Sequence, residues 1–232
     1  KHKIINADFG RFVGWKYYTM ITQIDIVTVL QKLGTSRPAF CSEADFQLSF
    51  SWELKTYLAQ RQNGSYEIFL ERRFETDTKD CYVDICLESE EELYLIELKY
   101  KTIKDSVFTS NRLGSKHILK EQAANDLGRY GYLKDIYRIE NVLGTITDKT
   151  IKKGYKEPTI SLKTIDRNFR IHERTTSLNP FVNPIDWVYS PKNKTFLNKY
   201  PGFTLAHTPL FDWKLYSQQK DCTFKYLLTT IN

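Results

Sequence analysis

Three charged residues on two neighbouring apolar segments could support metal-dependent chemistry. Asp84 lies in the segment Cys81–Glu88, and Glu97 and Lys99 lie in the segment Leu93–Lys101. Residues two positions apart on a strand point to the same face, so Glu97 and Lys99 would be neighbours. Charges within such apolar runs are costly unless they are compensated. A divalent cation bound by Asp84 and Glu97 would compensate them, and Lys99 would then lie beside a metal-bound water.

The types of these residues indicate which metal and which chemistry to expect. Oxygen ligands with retained waters suit Mg²⁺ or Mn²⁺ rather than zinc. Lys99 could orient or help to deprotonate the attacking water, or stabilise charge that develops on a phosphate. Because strands with mixed charges are common, the alternative is a simple Glu97–Lys99 ion pair at a solvated strand end.

Two helices are predicted before these strands. Apolar residues at helical spacing predict a helix over Thr22–Leu33, with Gly34 as its C-terminal cap. A second helix is predicted over Ser42–Gln62, where Ser42 begins a short capping box with Asp45.

Glu43, in the first turn of the second helix, is a further candidate for the site. It shares the buried stripe of Phe46 and Phe50, which is unusual for a carboxylate. The alternative is a first-turn acid that is favoured only by the helix dipole.

Three strands are predicted next, over Tyr66–Glu75, Cys81–Glu88 and Leu93–Lys101, with a hairpin turn at Ser89–Glu92. Side chains on the last strand alternate between an apolar face and a face whose later residues are charged. The apolar face has Tyr94, Ile96, Leu98 and Tyr100. The other face has Leu95, Glu97, Lys99 and Lys101. On the strand before it, alternation puts Asp84 with Tyr82 and Cys86, opposite Val83, Ile85 and Leu87. If the two strands form a hairpin, Asp84 and Glu97 can approach each other.

The later part of the chain is predicted from weaker patterns. A helix is predicted over Lys116–Asn141, a strand over Val142–Thr147 and a final strand over Thr223–Thr229. The expected fold is therefore an α/β sheet core with additional β and loop structure after residue 148, within one domain.

The order of the charged residues resembles the PD-(D/E)XK nuclease superfamily. The matching residues are Glu43, Asp84, Glu97, Leu98, Lys99 and Gln122. The resemblance covers about residues 42–147 and implies a restriction-endonuclease-like core, in which helices flank a mixed central sheet. Val83 stands where the family name implies proline, at a position that varies within the superfamily.

The resemblance implies a role for each matching residue. Asp84, Glu97 and the Leu98 backbone carbonyl would bind Mg²⁺ or Mn²⁺, and Glu43 would bind it directly or through water. Lys99 would be the catalytic lysine.

Gln122 is the residue for which the resemblance implies a role at the water or at a phosphate. The alternative is an ordinary exposed glutamine on a helix. Arg129 and Tyr130, further along the same segment, are interpreted as helix surface and core.

The composition favours an anionic partner. The 232 residues carry a formal net charge of +6, which suits nucleic acid. For a protein that resembles this nuclease superfamily, we expect DNA rather than RNA. Candidate contacts to nucleic acid are Lys101, Arg112, Lys116, Lys152, Lys153, Arg167 and Arg170. A solvated basic face of loops and short strands is the alternative.

The remaining features narrow the class of protein. The four cysteines have no zinc-finger spacing and are interpreted as reduced, which agrees with a cytoplasmic protein. No apolar run is long enough for a membrane span, and a homodimer is compatible with the sequence. We therefore expect a metal-dependent nuclease that hydrolyses phosphodiester bonds. The alternative is a non-catalytic nucleic-acid-binding module or interaction protein with the same fold.

Overall fold

The structure is a computed structural model. It describes residues 20–61, 66–76, 80–101, 107–109, 116–119, 125–147, 151–161, 203, 205–206, 212–219 and 222–231. The helices are α1 (Gln23–Ser36), α2 (Glu43–Gln60) and α3 (Asn125–Thr145). The strands are β1 (Glu67–Phe74), β2 (Cys81–Glu88), β3 (Glu92–Lys101), β4 (Val107–Thr109), β5 (Lys116–Ile118), β6 (Ile151–Ser161), β7 (Trp213–Gln219), β8 (Cys222–Leu227) and β9 (Thr229–Ile231). The predicted α/β class is confirmed.

A mixed sheet lies at the centre of the described part of the chain. Its strand order is β1-β2-β3-β6-β8-β7, and β9 pairs with β6. β3 and β6 are parallel, whereas the other neighbours are antiparallel. The predicted hairpin between β2 and β3 is confirmed, and the Ser89 amide donates to the Glu92 carbonyl at 2.9 Å. The chain after residue 148 therefore supplies strands to the sheet that holds Asp84 and Glu97.

Helices cover both faces of this sheet. On one face α1 and α2 pack over an apolar cluster that includes Ile96, Leu98 and Tyr100 of β3. On the other face α3 packs over a second cluster that includes Leu93 and Leu95. The predicted alternation along β3 is therefore confirmed, and Glu97 and Lys99 lie on the α3 face by the same alternation.

The predicted alternation along β2 holds from Ile85 to Leu87 but is wrong at Val83, because the strand changes face near Asp84. Ile85 and Leu87 belong to the cluster under α1 and α2, as predicted. Val83 instead belongs to the cluster under α3, which also contains Cys86. Residues 83 and 85 would share a face in an uninterrupted strand, so the backbone is irregular between them.

The prediction that Gly34 ends the first helix is also wrong. α1 continues to Ser36, and its first turn is fixed by a capping box between Thr22 and Asp25. A Cβ atom at position 34 would clash with the backbone carbonyl of Tyr216 in β7. Glycine at this position therefore allows the close approach of a strand rather than the end of a helix.

The predicted helix over Lys116–Asn141 is wrong at its start, and the predicted strand over Val142–Thr147 is wrong throughout, because α3 continues to Thr145 and residues 146–147 are in no strand. β5 contains the first three residues of the predicted helix, and α3 continues through Val142. Ile136, Ile139 and Val142 form one buried stripe at helical spacing, which keeps the segment helical against the sheet. Among the helices in the described residues, none is both long enough and apolar enough to cross a membrane.

Candidate active site

Asp84 lies where the regular pairing of β2 with β3 stops. The ladder runs from Glu88–Leu93 to Ile85–Ile96. Beyond it, Asp84 Oδ2 accepts a hydrogen bond of 2.6 Å from the backbone N–H of Leu98. The Asp84 carboxylate, rather than a backbone carbonyl of β2, thus accepts this hydrogen bond from β3. The bond holds Asp84 beside Glu97 and Lys99.

The start of α2 brings Glu43 to the same end of β3. Ser42 caps the helix by accepting from the Asp45 amide, so Glu43 is the first helical residue. Glu43 Oε2 accepts from the backbone N–H of Tyr100 at 2.7 Å, and Oε1 accepts from Lys99 Nζ at 3.3 Å. Glu43 therefore contacts β3 specifically, beyond what a helix-dipole preference would require.

Two residues of α3 complete the cluster, and the sequence reasoning missed both. Asp135 Oδ2 lies 3.9 Å from Lys99 Nζ, and Asp135 Oδ1 lies 3.1 Å from Arg138 Nη1. Arg138 Nη2 lies 3.4 Å from Glu97 Oε1 and also donates to the Tyr82 carbonyl. The available signal was an acidic residue, Asp135, placed three residues after Tyr132 and four before Ile139 on one face of a helix.

The cluster is acidic overall and only partly open. Among the side chains that the structure describes, it contains four carboxylates, of Glu43, Asp84, Glu97 and Asp135, and two cations, of Lys99 and Arg138. Counted as ionised at neutral pH, these six groups have an excess of two negative charges. The Glu97 side chain is 4 % exposed, whereas the Glu43 side chain is 38 % exposed. The excess charge therefore extends from the interior to an accessible rim.

The acidic surroundings keep the cations of the cluster protonated. Burial alone would lower the pKa of Lys99, but Asp135, Glu43 and Asp84 together raise it above its ordinary value of 10.5. Burial also opposes the charge of Arg138, yet Glu97 and Asp135 raise its pKa. The buried Cys81 thiol has a raised pKa, chiefly because of burial, although Arg138 opposes this effect. Cys81 is therefore a neutral neighbour of the cluster rather than a thiolate.

Comparison with known protein families, curated proteins and solved structures finds no match to this chain. Any account of the site consequently depends on the chemistry of its own residues.

The donor chemistry of the cluster suits a hard divalent cation. Within the described ranges, no three His, Cys, Asp or Glu side chains already surround a common point as metal ligands would. The four carboxylates nevertheless provide the oxygen ligands that Mg²⁺ and Mn²⁺ prefer, and their excess charge matches one divalent ion. Asp84, Glu97 and Glu43, the three carboxylates that the sequence suggested as metal ligands, all lie at the same end of β3.

The predicted site residues are thus placed as follows. Glu43, Asp84, Glu97, Leu98 and Lys99 come together at one end of β3. Gln122 lies outside the described residues, so its predicted role stays a prediction.

The candidate contacts to nucleic acid have a mixed outcome. Lys101 ends β3 close to the cluster, whereas Lys152 and Lys153 pair with Leu93 and Tyr94 near its beginning. At about 3.3 Å per residue, the last two lie well over 10 Å along the sheet from Lys99. Lys116 lies in β5, and Arg112, Arg167 and Arg170 lie outside the described residues.

Proposed function

We propose that this protein is a metal-dependent nuclease of the PD-(D/E)XK type, which hydrolyses phosphodiester bonds of nucleic acid, with DNA favoured over RNA. The observation that carries this proposal is the grouping of four carboxylates with Lys99 and Arg138 at a partly open strand end: Glu43 and Asp135 contact Lys99, Glu97 contacts Arg138, and Asp84 contacts the Leu98 N–H. Such a cluster is costly to maintain for stability alone, because its acidic groups outnumber its cations.

The order of the elements supports the same proposal. A helix with Glu43 is followed by the β1-β2-β3 meander, by α3 and then by β6, which is parallel to β3. A restriction-endonuclease-like core has this succession of helix, three-stranded meander, helix and strand. We include that finer fold assignment in the proposal.

A divalent metal in this cluster would be held by Asp84, Glu97 and the Leu98 carbonyl, with Glu43 bound directly or through water. When bound, it would polarise a phosphate and make a coordinated water more acidic. Asp84 also accepts from the Leu98 N–H, so the same contact orients the peptide that joins Glu97 to Leu98.

Lys99 acts as a cation in this proposal rather than as a base. In the metal-free protein, Asp135 and Glu43 raise the pKa of Lys99 despite its burial, so its side chain carries a positive charge at neutral pH. The ammonium can instead attract the scissile phosphate and stabilise the charge that grows in the transition state. Glu43 and Asp135 hold the ammonium in place from two sides.

Arg138 has a positioning role in this account. Its guanidinium bridges Glu97 and Asp135 and is anchored to the Tyr82 carbonyl. The bridge limits the rotation of Glu97, so this buried carboxylate stays directed toward the cluster.

One observation favours the alternative of a non-catalytic nucleic-acid-binding module. The cations of the cluster already form ion pairs with Glu43, Glu97 and Asp135, and these pairs compensate charge without a metal. In that case the basic residues would bind nucleic acid while the cluster stabilised the fold.

A cleavage assay separates the two functions. Purified protein is incubated with plasmid, linear duplex and single-stranded substrates in Mg²⁺, Mn²⁺ or EDTA, with Glu97→Gln as the matched inactive control. The nuclease proposal expects cleavage with Mg²⁺ or Mn²⁺ that EDTA and Glu97→Gln both abolish. Binding to these substrates without cleavage in any metal would favour the binding module.

A further inference from the structure

Glu71 has an unusual backbone conformation directly opposite Asp84. The pairs Leu70–Ile85 and Arg72–Val83 flank these two residues in the β1–β2 ladder. Glu71 has φ = 52°, in the left-handed region that favours glycine. A β-strand does not require this conformation, so something at this position must compensate for its cost.

The irregularity extends across both strands. On β2 the side chains change face between Val83 and Ile85, as described above. On β1, Ile68 packs with the cluster under α1 and α2, whereas Phe74 packs with the cluster under α3. Residues 68 and 74 would share a face in a regular strand, so β1 also changes face between them. Glu71 and Asp84 thus mark one distorted step in the sheet.

The side chain of Gln47 connects the two sides of this step. Its Nε2 donates to Glu71 Oε1 at 2.9 Å and to the backbone carbonyl of Asp84 at 2.6 Å. Gln47 lies one helical turn after Glu43 on α2, so the same helix contacts both the rim of the cluster and the step that carries Asp84.

We propose that Gln47 and Glu71 form a clamp that positions Asp84. The amide of Gln47 holds the Asp84 backbone from one side, and Glu71 holds the amide in place. With its backbone fixed, Asp84 directs Oδ2 to the Leu98 N–H instead of continuing the regular ladder. This inference adds two positioning residues to the site, and its link to metal binding rests on the proposed function.

Amide hydrogen exchange of Leu98 tests the clamp without any metal or substrate. Exchange is measured by NMR in wild type, Gln47→Met, Glu71→Gly and Glu71→Gln, with Cys86 and Leu95 of the regular ladder as internal references. Gln47→Met removes the donor at similar size, and Glu71→Gly removes the acceptor while fitting the left-handed conformation. Glu71→Gln keeps the Oε1 acceptor and serves as the conservative variant.

The clamp predicts that Leu98 exchanges about 10-fold faster or more in Gln47→Met and in Glu71→Gly, relative to the references. Glu71→Gln should retain most of the protection. The affinity for Mn²⁺ should fall by about 10-fold or more in the first two variants, as is usual when a residue that orients a metal ligand is lost. Glu71→Gly should do so without a loss of thermal stability, because glycine suits this φ.

The outcomes for the clamp and for the nuclease are separate. Unchanged Leu98 exchange in Glu71→Gly and Gln47→Met would overturn the clamp, even if Mn²⁺ binds. Absence of Mn²⁺ binding in wild type would contradict the metal site, while faster Leu98 exchange in the variants would still support the clamp.

Discussion

Two carboxylate clusters in the described part of the chain differ in charge balance: one is balanced and the other is acidic. Asp25 at the start of α1 is 2 % exposed, and its Oδ2 accepts from the Thr22 amide at 2.7 Å and the Thr22 hydroxyl at 2.9 Å. Its Oδ1 accepts from the Tyr57 hydroxyl at 2.9 Å and from Arg61. One acid therefore faces one cation and several neutral donors. At the end of β3, by contrast, four acids face two cations.

This difference in charge balance distinguishes the Asp25 cluster, which is structural, from the cluster at the end of β3, which is a candidate functional site. Burial of a carboxylate stabilises a fold only when charge and hydrogen bonds are matched, as they are around Asp25. An excess of acids destabilises the fold unless a further cation is bound. The two clusters therefore respond in opposite directions when one acid is neutralised, and only the second should affect chemistry.

The largest expected effect is on catalysis and comes from Lys99. Lys99→Ala should lower the cleavage rate by roughly 10²-fold or more, because its charge acts in the transition state. Affinity for nucleic acid should change little, since many other Lys and Arg residues contribute to it. Single-turnover cleavage and equilibrium binding are measured in parallel.

Arg61→Ala, from the Asp25 cluster, is the matched control and should leave the rate per folded molecule unchanged. If Lys99→Ala cuts as fast as wild type, Lys99 has no catalytic role. If affinity falls together with the rate, Lys99 is a phosphate anchor.

The next effect is on stability and comes from Asp25. Asp25→Asn should lower the free energy of unfolding by about 2 kcal/mol, because it removes the charge that faces Arg61 and weakens the cap of α1. Urea unfolding measures this change. Glu75→Gln, at an exposed ion pair with Arg73, should be close to neutral. An Asp25→Asn variant as stable as wild type would remove the contrast between the two clusters.

Neutralising an acid of the cluster at the end of β3 should instead raise the free energy of unfolding. Asp84→Asn keeps an oxygen that can accept from the Leu98 amide but removes one of the excess charges. In the absence of metal it should raise the free energy of unfolding by about 0.5–2 kcal/mol, as is common when a destabilised active site is relieved. Urea unfolding in EDTA measures it, and a clear loss of stability would mean that the charges are already balanced.

The smallest effect is a pH dependence due to Lys99. Its folded pKa is raised above 10.5, so the stabilisation by its charge is fully present below that pH. This stabilisation is lost as the pH rises through the folded pKa. The difference in unfolding free energy between wild type and Lys99→Met should therefore stay constant from about pH 7 to pH 9 and shrink at higher pH.

Lys55→Met, at an exposed position on α2, provides the baseline for this titration. The difference in unfolding free energy between wild type and Lys55→Met should show no comparable change above about pH 9. If the difference in unfolding free energy between wild type and Lys99→Met already shrinks below about pH 9, the acids do not raise the pKa of this lysine.

Parts of this arrangement could be predicted from the sequence because they follow from local patterns. The bounds of β2 agree with the prediction, since an apolar run and an acidic turn define them. Glu43 could be identified because a carboxylate occupied an apolar helical stripe. The sequence could not predict that Asp135 and Arg138 lie in the same cluster as Glu43, because their positions depend on how α3 packs on the sheet.

Other parts depend on tertiary contacts that leave little trace in the sequence. β6 pairs with β3 along the whole length of β3. β6 nevertheless contains Lys152, Lys153 and Pro158, which are unusual in a buried parallel strand. Gly34 suggested a helix end, but the close approach of Tyr216 explains it better. The face change at Asp84 likewise depends on a partner strand, through the left-handed conformation of Glu71.

Calorimetric titration with Mn²⁺ in the absence of nucleic acid tests the central claim, that the excess acidic charge at the end of β3 binds a divalent cation. Wild type and Asp25→Asn, measured where both are folded, should bind Mn²⁺ equally. Asp84→Asn should abolish the binding, although it is the more stable protein. Equal binding by wild type and Asp84→Asn, or no binding by wild type, would contradict the account.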